Sequence, residues 1–103
     1  MLRDLQRQFQ AASDSYAAQN GLSRDADWFV LKMHEEIGEL TQVWNRLSGR
    51  GRRHGRTDED LRESLADETA DLLGHVLLFA ENNGLDLAAA IERKWLFRPG
   101  NGG

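Results

Sequence analysis

The sequence predicts an all-α domain. Apolar residues recur at three- and four-residue steps along the chain, strand-like alternation is missing, and the single proline, Pro99, stands almost at the C-terminus, where it interrupts nothing. The length of 103 residues fits one domain with a core near the lower end of independent stability. Residues 1–98 read as that domain, and the run from Pro99 to Gly103 as a flexible tail.

The elements follow in order. Leu2, Leu5, Phe9, Ala12 and Tyr16 mark an amphipathic first helix, which Asn20-Gly21 stops in the left-handed region. A second helix begins near Ser23 or Asp25 and runs to about Ser48, with Gly49 ending it. From Gly49 to Arg56 the chain is rich in glycine and arginine and has no periodicity, which predicts a mobile loop. Thr57 caps a third helix that continues to Asn82, with Asp60 at the position where a capping box prefers Glu. Asn83-Gly84 stops it, and Asp86 caps a short fourth helix through Leu87, Ile91 and Trp95.

Seventeen acidic against thirteen basic side chains give a net charge of −4, which disfavours nucleic acid as the main partner. With no cysteine, neither a disulfide framework nor a thiolate metal site can form. The N-terminus lacks the apolar core of a signal peptide and no run reaches membrane-spanning length, so the expected location is cytoplasmic.

The informative feature is where the acids fall. With Glu36 at zero on a helical wheel, Phe29 and Leu47 lie about 20° to one side, Val43 about 20° to the other, and Leu40 within about 40°. Glu39 sits roughly 60° off this apolar centre, and Glu35 about 100° off, towards solvent. On the third helix, Leu61 and Phe79 fall within about 20° of Glu68, with Leu72 within about 40°. Asp71 is roughly 60° to one side of Glu68, and His75 about 20° to the same side, one turn beyond Asp71 and within reach of its carboxylate. Each long helix therefore sets an ExxE or ExxD pair on or beside the face that must enter the core.

A buried, unpaired carboxylate costs several kcal/mol. Lys32 and Lys94 are the only lysines in the chain, too few to neutralise both pairs from within. A hard divalent cation held by carboxylates from two facing helices answers the problem better. Oxygen ligation without cysteine favours Mg²⁺, with Mn²⁺ as the alternative, over structural Zn²⁺. Such a site keeps open positions for water and for phosphate oxygens, which leads towards phosphoryl chemistry.

The run Glu35-Glu36-Ile37-Gly38-Glu39-Leu40, followed by Glu68-Thr69-Ala70-Asp71, resembles the EExxE…ExxD signature of the all-α MazG-type nucleotide pyrophosphohydrolases. Leu85-Asp86-Leu87 and the stretch from Ala90 to Trp95 resemble that family's short final helix, so the likeness covers about Trp28 to Trp95. It implies hydrolysis of a nucleoside triphosphate between the α- and β-phosphates. By position, it implies Glu36, Glu39, Glu68 and Asp71 as Mg²⁺ ligands and Glu35 as the group that orients or deprotonates the attacking water. Lys32, one turn before Glu36, and Lys94, on the Leu87 side of the last helix, are the cations within reach of the phosphates. A phosphoribosyl-ATP pyrophosphohydrolase, which shares the architecture and the acidic pairs, is the nearer alternative. A non-catalytic helical interaction module with ion-paired acids is the alternative of another class.

No base-recognition pocket is legible. Tyr16, Trp28, Trp44 and His75 are candidates, although each aromatic fits core or interface packing as well. Arg50, Arg52, Arg53 and Arg56, around His54, read first as a solvated connection and second as a flap over the phosphates. Ala66, Ala70, Leu73 and Leu77 lie away from the Glu68 face, so the third helix is apolar well around its circumference. A homodimer or homotetramer, with the second and third helices completing a shared bundle, follows as an expectation that the resemblance also implies.

Overall fold

The computed structural model describes residues 1–100. Its elements are α1 (Leu2–Asn20), α2 (Ala26–Leu47), α3 (Asp58–Asn82) and α4 (Leu87–Trp95), with no strand among the described residues. The expected boundaries hold to within a residue or two, and the caps account for them. Gly21 closes α1 at φ 61°, where a left-handed backbone favours glycine. The Asp25 side chain accepts from the Trp28 N–H at 2.8 Å, and that of Asp86 from the Ala89 N–H at 3.0 Å. Thr57 and Asp60 form a reciprocal capping box, each accepting from the other's backbone at 3.1 Å. Asp therefore performs the role usually given to Glu.

The four helices are joined unequally. α3 packs against both α2 and α1, whereas α4 has only slight contact with the other three. α2 and α3 run antiparallel: Glu39 meets Glu68 near one level, while Glu36 meets His75 further along. The buried apolar residues are Ala17 of α1, Phe29 and Val43 of α2, and Leu61, Leu77, Leu78 and Ala80 of α3. Phe29, Glu36 and Val43 are the buried residues of α2, the face that helical spacing assigns to the core. No described helix is long and apolar enough to cross a membrane.

The segment between α2 and α3 is more tied down than its composition suggests. Arg53 donates to Asp58 and, at 3.2 Å, to the Leu47 carbonyl, joining the end of α2 to the start of α3. Arg56 donates to Ser64 Oγ and to the Asp60 carbonyl. Arg50 and Arg52 are exposed and carry no ion pair among the described residues. Of the expected tail, Pro99 and Gly100 are described, with Gly100 against Met1; residues 101–103 lie outside the described residues.

α1 is seated by a glycine in the middle of α3. The Phe9 ring lies so close to Gly74 that a Cβ there would fall 2.7 Å from the ring. Polar contacts flank this point: Gln6, itself buried, donates to Glu81 at 3.1 Å, and Asn82 donates to Gln10 at 2.7 Å. At the other end of α1, Arg24 donates to Ser13 at 2.6 Å and Asp14 at 2.5 Å, with its guanidinium 5.7 Å from the Phe29 ring centre.

Two predictions follow from this packing. Gly74→Ala should lower stability by about 1–3 kcal/mol, because the added methyl overpacks the α1–α3 contact by more than helix propensity returns. Phe9→Ala should remove most of that penalty in the double variant, a coupling that urea unfolding of the four proteins reads directly. Arg56→Ala should cost about 0.5–1.5 kcal/mol through its lost hydrogen bonds, whereas Arg50→Ala and Arg52→Ala should each stay within about 0.5 kcal/mol.

Candidate metal centre and adjoining cavity

The α2–α3 seam brings carboxylates together. One oxygen from each of Glu36, Glu39 and Glu68 lies within 4.8 Å of the other two. Glu36 is only 5% exposed, and the Oε2 atoms of both Glu36 and Glu68 are buried without a hydrogen-bond partner. Unpartnered buried oxygens of this kind are rare in folded proteins, since each loses its hydration without replacement. They fit a hard cation, since Mg²⁺ takes oxygen donors and carboxylates are its usual protein ligands.

Asp71, the fourth carboxylate implied by the resemblance, stands apart from the triangle. It is exposed and lines the adjoining cavity, although its charge is felt by both Glu36 and Glu68. His75 does not turn to Asp71; its Nε2 approaches Glu36 Oε1 at 3.6 Å. The reason is angular: His75 lies nearer than Asp71 to the centre of the α3 face that meets α2. Its Nδ1 is buried and unpartnered.

The carboxyls are electrostatically strained. Burial, followed by the charges of Glu39 and Asp71, pushes Glu36 up from 4.5 to about 7, with Lys32 opposing. Glu68 is raised by burial and the same two neighbours. His75 is lowered, first by burial and then by Lys32.

A cavity of about 640 Å³ opens beside the acids, between α1, α2 and α3. Glu36, Asp71 and Lys32 contribute its charged lining, and Phe9, Tyr16, Trp28 and His75 its rings. Lys32 Nζ is 3.3 Å from Glu35 and 5.9 Å from the Trp28 ring centre. Glu35 is exposed, as its angle on α2 predicts. Lys94 is exposed on α4 and does not line this cavity; neither does Trp44. Sequence reasoning missed the part played by α1. The signal was an unexplained glycine, Gly74, in mid-helix, matched by an aromatic residue on the apolar face of α1.

Compared with known proteins, the chain matches no family model, no curated protein and no solved structure at a significant level.

The raised carboxyls set a pH dependence. A carboxyl whose folded pKa exceeds its unfolded value favours the folded state while protonated. For Glu36 that stability is fully present below the ordinary value of 4.5 and is lost as pH rises through it to about 7, flattening above. His75 acts with opposite sign near its ordinary value of 6.5, since its lowered pKa favours folding as pH rises. The Glu36 contribution is therefore read as the difference between wild type and Glu36→Gln. Urea unfolding in EDTA from about pH 4 to pH 9 should show the variant gaining on the wild type as pH increases. A difference independent of pH would show that the Glu36 carboxyl is not strained.

Proposed function

We propose that the protein is a divalent-metal-dependent nucleotide pyrophosphohydrolase of the all-α MazG type, acting on a nucleoside triphosphate. The observation that carries this reading is the pair of buried, unpartnered carboxylate oxygens, one from each long helix, beside a cavity that has both rings and a lysine in its lining. Glu36, Glu39 and Glu68 would hold the cation, with Asp71 joining them from the cavity side. Once bound, Mg²⁺ or Mn²⁺ supplies charge neutralisation at the phosphates and a water of lowered pKa.

The chain's own residues have separable tasks. Lys32 faces the cavity and places a positive charge where the phosphates would lie. Glu35, paired with Lys32 in the absence of substrate, is released when that lysine turns to phosphate, and it then accepts a proton from the attacking water. The water oxygen bonds to the α-phosphorus as the bond to the bridging oxygen breaks, giving a nucleoside monophosphate and pyrophosphate. Lys94 would reach a phosphate only from α4, away from this cavity in a single protomer.

A second copy of the chain is part of the proposal. The radius of gyration is 16.1 Å, against about 13 Å for a compact chain of this length. The accessible surface is 7368 Å², where a compact monomer of this mass exposes about 5,900 Å². Ile37 and Trp44, each 49% exposed, and Leu73, 48% exposed, lie about 80–140° round their helices from Glu36 and Glu68, in the same rotational sense. Because α2 and α3 are antiparallel, that places all three on one side of the hairpin, opposite α1. The excess area exceeds the roughly 800 Å² that each partner buries in a standard interface.

Pyrophosphate release from a panel of nucleoside triphosphates and phosphoribosyl-ATP, with Mg²⁺, tests the activity. Glu36→Gln and Glu68→Gln should each abolish release while preserving helical content, and retained release would remove that residue from the ligand set. Mg²⁺ at a hundredfold excess over Kd should stabilise the wild type by about 2.7 kcal/mol and leave the double variant unmoved. A wild type indifferent to Mg²⁺ and Mn²⁺ would favour an ion-paired helical module instead.

A further inference from the structure

Proposing a nucleotide substrate leaves open what selects the base, and on that reading the cavity wall contains an answer. Three of its lining rings come from two helices: Phe9 and Tyr16 from α1 and Trp28 from α2. Tyr16 is largely exposed, and Trp28 stands edge-on to Phe29, with ring centres 5.1 Å apart. A planar heteroaromatic ring binds well against such surfaces, because every base offers a π-face irrespective of its edge groups. Phe9 differs from both. Its ring rests on the bare backbone of Gly74, within the distance a Cβ would occupy, so it has withdrawn as far towards α3 as the chain allows. Phe9, Gly74 and Leu78 all line the cavity, so this contact forms part of its wall on the α3 side.

The geometry points to the Phe9–Gly74 contact as a size gauge for the base: it fixes how far a nucleobase held by Tyr16 and Trp28 can extend towards α3. Neither residue carries charge or a side-chain hydrogen-bonding group, so both act by volume alone. Their substitutions then have opposite consequences. Removing the Phe9 ring deepens the cavity. Adding a Cβ at position 74 drives that ring outward and makes the cavity shallower. In the double variant no ring remains to be displaced, so it should resemble Phe9→Ala.

The test measures binding of dCMP, dTMP, dAMP and dGMP, with Mg²⁺, through the fluorescence of Trp28. Trp44→Phe and Trp95→Phe supply the background, since neither residue lines the cavity and phenylalanine keeps an apolar ring on the face where Trp44 would meet a second copy; every ratio is read against this background. Phe9→Ala should shift the purine-to-pyrimidine ratio of Kd values in favour of purines by about tenfold, the scale of a small volume change in an apolar pocket. Gly74→Ala should shift it towards pyrimidines, and the double variant should follow Phe9→Ala. Phe9→Leu repeats the test with a smaller loss of packing, and circular dichroism confirms folding in each case. Ratios unchanged in folded Phe9→Ala and Phe9→Leu would overturn the gauge, as would wild-type Trp28 fluorescence indifferent to all four nucleotides. Size-dependent binding without pyrophosphate release from any triphosphate would uphold the gauge and sink the hydrolase. Release with ratios indifferent to Phe9 and Gly74 would sink the gauge alone.

Discussion

The rest of the structure is arranged around a carboxylate that should not be buried. Glu36 occupies the centre of the α2 face that meets α3, and it retains an oxygen with no partner there. A leucine at this position would make the seam more stable, since a buried acid forfeits hydration that apolar packing does not return. The local sequence otherwise favours the fold, with sound caps on three helices and a full capping box on α3. Disagreement between strong local signals and one costly residue is the pattern expected where function overrides stability. Glu68 repeats it across the seam, which makes a shared cause more economical than two separate accidents.

α1 turns that seam into a site. α2 and α3 alone form a hairpin with acids along its groove; α1 adds the wall that makes the groove a cavity. Its seating depends on three different interactions: a ring on a glycine, amides paired with Glu81 and Asn82, and the Arg24 clamp on Ser13 and Asp14. The amide pairs and the Arg24 clamp fix the axial position of α1, because hydrogen bonds have direction, whereas the ring contact fixes its distance from α3. The wall is therefore determined in both respects without placing another charge in the cavity.

The helices and the central place of Glu36 were legible because they depend on local chemistry and on one angle per residue. Gly21, Asp25, Thr57 and Asp86 act on backbone groups within a few residues, so the sequence is enough to identify them. What depends on two helices at once was not legible. The wheel placed Asp71 and His75 on the correct side of α3, yet it could not tell that the imidazole would approach Glu36 while Asp71 stayed towards solvent. The arginine loop meets the same limit. Its composition predicts mobility, but it does not show that Arg53 finds acceptors at the end of α2 and the start of α3, or that Arg56 finds them in the first two turns of α3.

The charge balance of the cavity bears on how the proposed reaction would begin. Glu36 and Asp71 line it, Glu39 and Glu68 lie beside Glu36, and Lys32 is the only lysine in its lining. A triphosphate entering alone would meet acids that outnumber the lysine, and the low dielectric of a partly enclosed site strengthens that repulsion. Protonation relieves it only in part: Glu36, titrating near 7, still carries charge through much of the neutral range. A divalent cation reverses the sign of the problem, because the same carboxylates that repel phosphate attract the ion that binds it. The affinities for metal and for phosphate must then be coupled, each raising the other by the same factor. On this account the cost of burying Glu36 persists in the free protein because the substrate–metal pair is what relieves it.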